Sequence, residues 1–536
     1  MKHFGFIVFI LFAFVSLVCN SSVTYMPNQK KDVSPYDYGL ANAKTGTERY
    51  QVLLKTHRAA IKAGVNVDYS NIDTLWLEIP ETLSRIPLTS YNDFKGCVFM
   101  IKNTSKETYL FDKKITGKPI EVDKWLIDKG DFRTTDSLKG GRYLLLIEDE
   151  KPWVLSRKGY GYGHQRKDVL LVENGIAKNK VIMPYNNEFS KPVCTFIHLN
   201  NEPLVIKNIT IDRSPECTFL THIAMIIGND DVRISKVKVH TPVSNLKNDR
   251  GFLIRGCTNV TFEDVCIDGS YSQKNHSGYG IFLDNVWNFK AIRLYGRANW
   301  GIFGNNNVNK AQIEDSQINR FDIHCYGKDV AFKNVVFFDR YNQYSSVYGT
   351  ISYDKCTFTD FVPVLNDGSY NSYVAHEVVF NDCIYNVSPD INYIFKMSNI
   401  NEPTNERHEL AEKCLPNVII NNMKVNMRKG AKEFFLFKFV PSGKNITDIG
   451  YLSKVYINGL KLISDDITPI KSVYLSNIKM QTKHLVDCQL KDVEVVQPKE
   501  IGKQMQYMRR IATLIINMTV KGGKVKMNNA KNLRQD

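Results

Sequence analysis

The chain contains 536 residues, of which 43% are apolar and 11% are aromatic. This composition is sufficient for a large packed core and excludes a long disordered protein. The formal net charge is +15 and the pI is about 9.1. Such a charge favours an acidic partner, although a solvated basic surface is equally consistent because lysine and arginine are spread along the chain.

The N-terminus has the pattern of an export signal. A short basic start is followed by an apolar run from Phe4 to Val18, which is too short for a comfortable membrane span. We expect residues 1–20 to direct the protein to a secreted, periplasmic or cell-surface location. Cys19 would carry a lipid anchor, but Val18 stands where lipoprotein signals have a small residue. No later segment has an uninterrupted apolar run that is long enough to predict a membrane span.

Export also narrows the choice of partner. Nucleic acid would be the usual partner of a cytosolic protein with this charge, whereas an exported protein with a net charge of +15 is better suited to a polysaccharide bearing uronates or sulfates. We therefore predict an acidic polysaccharide and no nucleic acid.

Residues 21–194 are predicted to form an N-terminal region with a helix and a β-rich part. The helical spacing covers 48–63, with Thr47 as the N-terminal cap and Gly64 as the stop. An amphipathic helix at this place would plug the open end of a solenoid core. Two later segments are predicted strands, of early coils or of a small β module: 75–79 and 98–101.

A six-residue pattern, apolar-polar-polar-apolar-x-apolar, recurs through the second half of the chain. Between 206 and 380 the copies follow one another at spacings of 19 to 28 residues. Such a period predicts stacked supersecondary units, and each unit is too short to include a helix. We assign 195–500 to a parallel β-helix and 501–536 to a C-terminal cap or tail. The clear copies begin at Ile206, Ile234, Phe262, Phe289, Phe332, Phe380, Ile420 and Ile457.

Asparagine and aspartate recur at two places in this repeat. Both residues suit tight turns, because they tolerate the left-handed conformation and bond to nearby backbone, so we predict two ladders of turn side chains along the solenoid. One series precedes the repeat: Asp231, Asn259, Asn285, Asn307, Asp329 and Asn417. The other lies within it: Asn208, Asp264, Asp315, Asn334, Asp382 and Asn422.

With these features the sequence resembles the pectin-lyase-like superfamily of right-handed parallel β-helices, which includes pectate and alginate lyases, polygalacturonases and phage tailspikes. The resemblance implies an all-β, right-handed parallel β-helix solenoid. It rests on coil periodicity and turn residues over roughly 195–500. The run Gly228-Asn229-Asp230-Asp231 copies fragments of the polygalacturonase motif only, so no family within the superfamily is assigned.

One predicted strand stands out for its chemistry. In the segment 321–326, Asp322, His324 and Tyr326 alternate with apolar residues, so a period of two places the three polar side chains on one face. His324 would act as general base or acid, Asp322 would orient it, and Tyr326 would carry a proton to a leaving oxygen. Arg320, with Arg297 one coil earlier, would neutralise a substrate carboxylate. A solvent-facing polar strand is the alternative.

Further residues are candidates for binding the polysaccharide. They lie on neighbouring strands and inserted loops, or in the stretch 157–167, which is dense in glycine, aromatic and basic residues suited to stacking on sugars and pairing with anions. A plain surface hairpin would explain that stretch equally well. The candidates are Arg297, Trp300, Tyr279, His276, Asp284, Arg255, Arg250, Tyr160 and His164.

These residues predict a secreted enzyme that cleaves an acidic polysaccharide, with β-elimination as the first choice. Hydrolysis is the alternative, because it needs two carboxylates roughly 5 to 9 Å apart, and Asp230, Asp284 and Asp322 could pair across coils. A non-catalytic glycan-binding or tailspike-like adhesin is the third. No metal ligands and no required cofactor are predicted, although the resemblance allows a calcium ion, as in some pectate lyases. The sequence is also compatible with a homo-oligomer.

Overall fold

The computed structural model describes residues 31–535 except for 81–83, 105–107, 120–137, 139, 155–163, 182–191, 200–201, 214–220, 245–248, 272–277, 298–300, 339–341, 345–346, 361–363, 367–374, 389–390, 399–413, 428–432, 441–450, 453, 465–471, 477–486, 502–503, 511–512, 517–525 and 529–532. The predicted export signal lies outside the described residues. So do three candidate binding residues: Tyr160, His276 and Trp300.

Secondary structure begins with two short 3-10 helices, Pro35–Tyr38 and Leu40–Asn42, and one α-helix, α1, at Gly46–Ala63. The strands before the six-residue repeat are β1 Thr74–Ile79, β2 Ile86–Pro87, β3 Tyr91–Asp93, β4 Val98–Thr104, β5 Thr108–Lys114, β6 Lys118–Pro119, β7 Arg142–Val154, β8 His164–Glu173, β9 Ile176–Ala177 and β10 Pro192–His198.

The central strands are β11 Leu204–Arg213, β12 Thr221–Ile227, β13 Val232–Ser244, β14 Asp249–Glu263, β15 Cys266–Tyr271, β16 Gly278–Ile292, β17 Tyr295–Arg297, β18 Gly301–Glu314, β19 Gln317–Ile318, β20 Phe321–Lys333, β21 Val336–Phe338, β22 Gln343–Tyr344, β23 Val347–Asp354 and β24 Thr357–Thr359.

The remaining strands are β25 Val364–Asn366, β26 Ala375–Asn381, β27 Ile384–Val387, β28 Tyr393–Ser398, β29 Cys414–Leu415, β30 Asn417–Met427, β31 Glu433–Val440, β32 Tyr451–Leu452, β33 Lys454–Ser464, β34 Ser472–Ser476, β35 Asp487–Ile501, β36 Gln504–Arg510, β37 Thr513–Ile516, β38 Lys526–Asn528 and β39 Leu533–Gln535.

The N-terminal helix starts slightly earlier than predicted. Thr45, not Thr47, is its cap: the Thr45 side chain accepts a hydrogen bond from the Glu48 backbone, and the Glu48 carboxylate accepts one from the Thr45 backbone. This reciprocal pair satisfies two backbone donors that the first helical turn leaves open. Gly64 ends the helix in a left-handed conformation, as predicted. The apolar face of α1 belongs to the same buried core as the solenoid strands, so the helix covers the core's N-terminal end.

Parallel pairing of successive coils confirms the predicted parallel β-helix. Strands β14, β16, β18 and β20 pair in register over most of their lengths, and the series continues through β23, β26, β30, β33 and β35. Strands β1 to β5 already belong to it, because β4 and β5 pair in parallel with β11 and β12. Among the described residues, no helix is long and apolar enough to cross a membrane.

Each central coil bends at left-handed residues, which stack into three rows. The predicted series within the repeat is confirmed as the third row, and the Asn334 side chain donates to Asp315 there at 2.8 Å. The series predicted to precede the repeat was wrong as a single ladder, because it mixes two rows that lie three residues apart in each coil and includes Asn417, whose φ is not positive. The first row contains Gly228, Gly256, Asn285, Asn307 and Tyr326, and the second contains Asp231, Asn259, Asn288, Lys310 and Asp329.

The interior is a stack of apolar side chains from equivalent positions of successive coils. Phe332, Tyr353 and Phe380 illustrate it: their ring centroids lie 5.0 and 4.8 Å apart with interplanar angles of 11° and 7°. The spacing matches the distance of about 4.8 Å between hydrogen-bonded strands. Each coil therefore repeats the side-chain positions of the coil before it, inside and out.

Strands β6 to β10 form a small antiparallel sheet inserted between the early coils and the main repeat. The apolar side chains on one face of this sheet pack together in a separate hydrophobic core. The other face packs its leucine, isoleucine and valine side chains against Ile115 and Trp287 of the solenoid. At Gly256 the packing is close, since a Cβ there would lie 3.1 Å from Ile197 Cδ1. The small sheet is thus held against the first bend of the coils, and its strand β8 contacts β16, β18 and β20.

Candidate functional site

The candidate site lies on the outer face of the first strand segment in successive coils. Inward positions such as Phe303, Phe321 and Ile323 belong to the core, so by the period of two the alternate residues point outward. Aligned by the strand register, these outward residues form what we call the site face: Leu253 and Arg255, Phe282 and Asp284, Gly304 and Asn306, and Asp322 and His324.

A buried ion pair lies at the base of the site face. Arg320 Nε donates to Asp322 Oδ1 at 2.5 Å, and both side chains are 0% exposed. Gly301, on the preceding coil, leaves room for the arginine, since a Cβ there would lie 2.8 Å from Arg320 Cβ. Burying two charges is tolerated when they pair closely. The pair fixes the position of the Asp322 carboxylate.

Tyr279 reaches this carboxylate from two coils away. Its hydroxyl donates to Asp322 Oδ2 at 3.0 Å and lies 2.6 Å from His324 Nε2. The ring crosses the intervening coil above Gly304, where a Cβ would lie 2.3 Å from Tyr279 Cδ2. The His324 side chain is 14% exposed. The result is a hydroxyl and an imidazole in contact at the surface, with a buried carboxylate beneath them.

This arrangement can move protons. The single phenol proton of Tyr279 can lie toward Asp322 or toward His324, while the imidazole can donate to or accept from the Tyr279 oxygen across the 2.6 Å contact. His324 Nε2 also lies 3.9 Å from Asp322 Oδ2, so the carboxylate stabilises the imidazole when it becomes positively charged. Tyrosine and histidine are both competent general acids and bases.

Tyr326 lies apart from this arrangement, which corrects the predicted alternation over 322–326. The register between β18 and β20 shifts at His324: Asn305 pairs with Ile323, and Asn306 pairs with Cys325. This β-bulge inserts one residue and ends the period of two. Tyr326 consequently takes the first-row bend, with φ 58°, and is 1% exposed.

The other two aspartates of the hydrolase alternative are held in ion pairs. Asp284, whose side chain is 7% exposed, accepts from Arg255 Nε at 2.7 Å. Asp230 is buried and accepts from Arg142 of the small sheet and from Thr258 and Asn259 of the next coil. Asp230 therefore ties the small sheet to the solenoid, whereas Arg255, 47% exposed, presents its guanidinium beside the site face.

The remaining candidate residues are spread around the same part of the coil. Arg297 is exposed at the end of β17, four residues before Gly301. Arg250 pairs with Tyr279 in the strand register, and His164 begins β8. The backbone of these two is described, without their side chains.

Tyr279 was predicted as a binding residue, and its contact with His324 was not predicted. The signal that could have revealed it is the pair of glycines in one strand, Gly301 and Gly304, flanked by coils with large side chains. A glycine inside a strand often marks close approach by another group. Three asparagines that support the strands of the site face were also not predicted. Asn305 donates to the Asp322 carbonyl, and Asn319 and Asn342 accept from the backbone of Ile302 and Phe321.

No metal site is evident in the part of the chain that the structure describes, because no three histidine, cysteine, aspartate or glutamate side chains there converge on one point. The calcium ion allowed by the sequence resemblance remains a prediction.

Comparison with known proteins gave matches in structure alone. No family model matches the chain, and no curated protein matches it. The tailspike protein gp49 of Pseudomonas phage LKA1 has a TM-score of 0.51 at 13% identity, and the match covers 87% of this chain and 84% of that one. This likeness concerns the fold alone.

Two further tailspikes are similar at lower scores. The gp54 tailspike of Acinetobacter baumannii bacteriophage AP22, solved in complex with a capsular saccharide, has a TM-score of 0.45 at 10% identity, covering 87% of this chain and 80% of that one. The gp61 tailspike of Pseudomonas phage phi297 has a TM-score of 0.44 at 11% identity, covering 88% of this chain and 85% of that one.

Proposed function

We propose that this protein is a polysaccharide lyase that cleaves an acidic glycan by β-elimination on the site face. The observation that carries the proposal is the 2.6 Å contact between Tyr279 Oη and His324 Nε2 above the buried Asp322. A lyase needs a base for the proton next to the sugar carboxylate and an acid for the departing oxygen, and these two groups supply both.

The elimination proceeds by the following transfers. His324 takes the proton on the carbon next to the carboxylate, and the electron pair of that C–H bond forms the new C=C bond. The C–O bond to the next sugar breaks, and Tyr279 gives its proton to the departing oxygen. His324 then returns a proton to Tyr279 across their 2.6 Å contact, which resets the enzyme. Because acid and base are adjacent, both act from one side of the sugar, and a syn elimination results.

The two buried charges position this pair. Asp322 accepts from Tyr279 and lies 3.9 Å from His324 Nε2, so it holds the phenol and stabilises the imidazolium that forms. Arg320 is fully buried against Asp322, so it acts on the carboxylate rather than on substrate. We assign neutralisation of the sugar carboxylate to Arg297, exposed at the end of β17 and four residues before Gly301 of the site strand β18, since a neutralised carboxylate makes removal of the adjacent proton feasible.

Hydrolysis is less well supported, because it needs two carboxylates facing the substrate. Asp322 and Asp284 are both buried in ion pairs and stand two coils apart in the register, which is about 10 Å along the solenoid axis. Asp230 is occupied by the small sheet. The net charge of +15 favours an acidic polymer over a neutral one.

The test is to incubate the purified protein with acidic and neutral polysaccharides while following ultraviolet absorbance and reducing ends. A lyase product absorbs because its new C=C bond is conjugated with the carboxylate. We expect absorbance and reducing ends to rise together, and to fall at least a hundredfold in His324→Ala and Tyr279→Phe. The matched control Tyr91→Phe, at an exposed tyrosine of an early coil, should retain activity.

Two other results would indicate a different function. Reducing ends without absorbance would mean hydrolysis and would contradict the proposed elimination. Binding without cleavage across the panel would mean a glycan-binding adhesin.

A further inference from the structure

An open cavity of about 700 Å³ lies at the junction of the small sheet and the solenoid. Its lining includes Arg142, Glu173, His198 and Glu202. Arg142 joins it to Asp230, which in the strand register lies four coils before the coil of His324. Four coils correspond to about 19 Å along the axis, so this cavity is separate from His324.

The charges in the cavity wall largely compensate one another. Arg142 Nε donates to Glu173 at 2.9 Å, and its guanidinium also pairs with Asp230. Lys178 lies 3.3 Å from the other oxygen of Glu173. Two positive and two negative side chains thus form one connected group, while Glu202 is exposed at the rim. A wall of this kind has no excess positive charge with which to attract an anion.

An aromatic surface stands beside these polar groups. His198 is exposed, and its ring lies 5.1 Å from the ring of Tyr143 on the paired strand. The Tyr143 ring itself lies against Gly141 of the cavity wall, since a Cβ there would lie 2.4 Å from Tyr143 Cε2. The cavity therefore combines the flat ring of His198 with the carboxylates of Glu173 and Glu202, which accept hydrogen bonds.

We infer that this cavity binds a neutral saccharide. The C–H face of a sugar packs on aromatic rings, and its hydroxyls donate to carboxylates such as Glu173 and Glu202. Arg142 holds Glu173 in place without contributing net attraction for an acidic sugar. This inference is independent of the proposed lyase activity, because it involves other residues and a ligand of another charge.

The test measures binding of the neutral hexasaccharides of cellulose, xylan and starch by calorimetry, with hexagalacturonate as the acidic comparison. We expect at least one neutral hexasaccharide to bind, and its affinity to fall at least tenfold in His198→Ala and in Glu202→Gln. Both residues are exposed, so these variants should fold. His324→Ala and the exposed control His240→Ala should bind as the wild type does.

Three outcomes would overturn the inference: none of the neutral hexasaccharides binds, binding survives both cavity variants, or hexagalacturonate proves to be the tighter ligand of this cavity. Loss of binding in His324→Ala would also contradict it, because the ligand would then belong to the site face. Failure of the lyase assay alone would leave the inference standing.

Discussion

Gly304 and Tyr279 are complementary: the ring of the tyrosine occupies the space that a side chain at 304 would need. An added Cβ would lie 2.3, 2.5 and 2.6 Å from three ring atoms, far closer than carbon atoms approach one another. The ring is held at its other end by Asp322 and His324. Gly304 therefore determines whether the phenol can reach its two partners.

Gly304→Ala should displace the Tyr279 ring and reduce cleavage of the acidic polymer about a hundredfold, because small misplacements of a catalytic group are costly. Overpacking should lower the free energy of unfolding by about 1 to 3 kcal/mol. The measurement is a double-mutant cycle. If Gly304 acts through Tyr279, then Gly304→Ala combined with Tyr279→Phe should be no slower than Tyr279→Phe alone; additive losses would refute this role.

Arg320→Met should lower the free energy of unfolding by about 3 to 5 kcal/mol, since it leaves the carboxylate of Asp322 buried without its cation. Both side chains are fully buried in the native protein. Adding Asp322→Leu should recover most of this loss and leave activity absent, because the phenol loses its acceptor. Urea unfolding of the wild type and of the two variants checks this order of stability. A second substitution that destabilises further would show that the ion pair is not the source of the effect.

Asp230→Asn should loosen the small sheet without removing catalysis. Asp230 pairs with Arg142 and accepts from Thr258 and Asn259, and losing a charged hydrogen-bond acceptor costs about 2 kcal/mol. Hydrogen exchange in β7 and β8 should speed up, while the turnover of folded protein changes less than threefold. Asp231→Asn, at the neighbouring and more exposed position, is the matched control. A loss of turnover by orders of magnitude would instead assign Asp230 to the chemistry.

Acid should weaken the N-terminal cap through His57. Burial lowers the pKa of His57 from 6.5 to about 4, against a raising effect of its hydrogen bond to the Pro87 carbonyl. The unfolded chain therefore binds a proton as the pH falls through 6.5, whereas the folded protein does not until about 4. Stability should decline over this window by about 3 kcal/mol.

The measurement is the urea midpoint at several pH values for the wild type and His57→Gln. The variant should be less stable at neutral pH, since His57 also contacts the Tyr69 hydroxyl at 2.8 Å. Its midpoint should depend less on pH between 6.5 and 4 than that of the wild type. Equal pH dependence in the two proteins would exclude His57 as the titrating group.

The sequence predicts the coils well because their signals are local. A bend at Asp264 or Asn334 requires a left-handed residue beside a strand of alternating apolar residues, and both features are visible in six or seven consecutive positions. The two earlier bends could not be separated, because Asn285-Val286 and Asn259-Val260 are alike as dipeptides. Only the strand pairing shows that they belong to different rows.

The site was predicted in part, for a related reason. Asp322 and His324 lie on one strand and were paired by periodicity, whereas the contact of Tyr279 with them spans 43 and 45 residues. Tyr326 was misplaced because a bulky residue rarely adopts a positive φ, so nothing local indicated a bend there. A β-bulge at His324 depends on a one-residue mismatch between two coils, and a single strand does not reveal it.

The spacing of the bends has a consequence for how this protein can change through evolution. In each of five coils the second bend lies three positions after the first, and the third bend lies five positions after the second. From one third bend to the next first bend the chain is 20, 21, 14 or 11 residues long. In these five coils the length thus varies on the side that leads into the site face and is constant between the bends, so a change of loop length there could reshape the site face while the stacked bends stay in register.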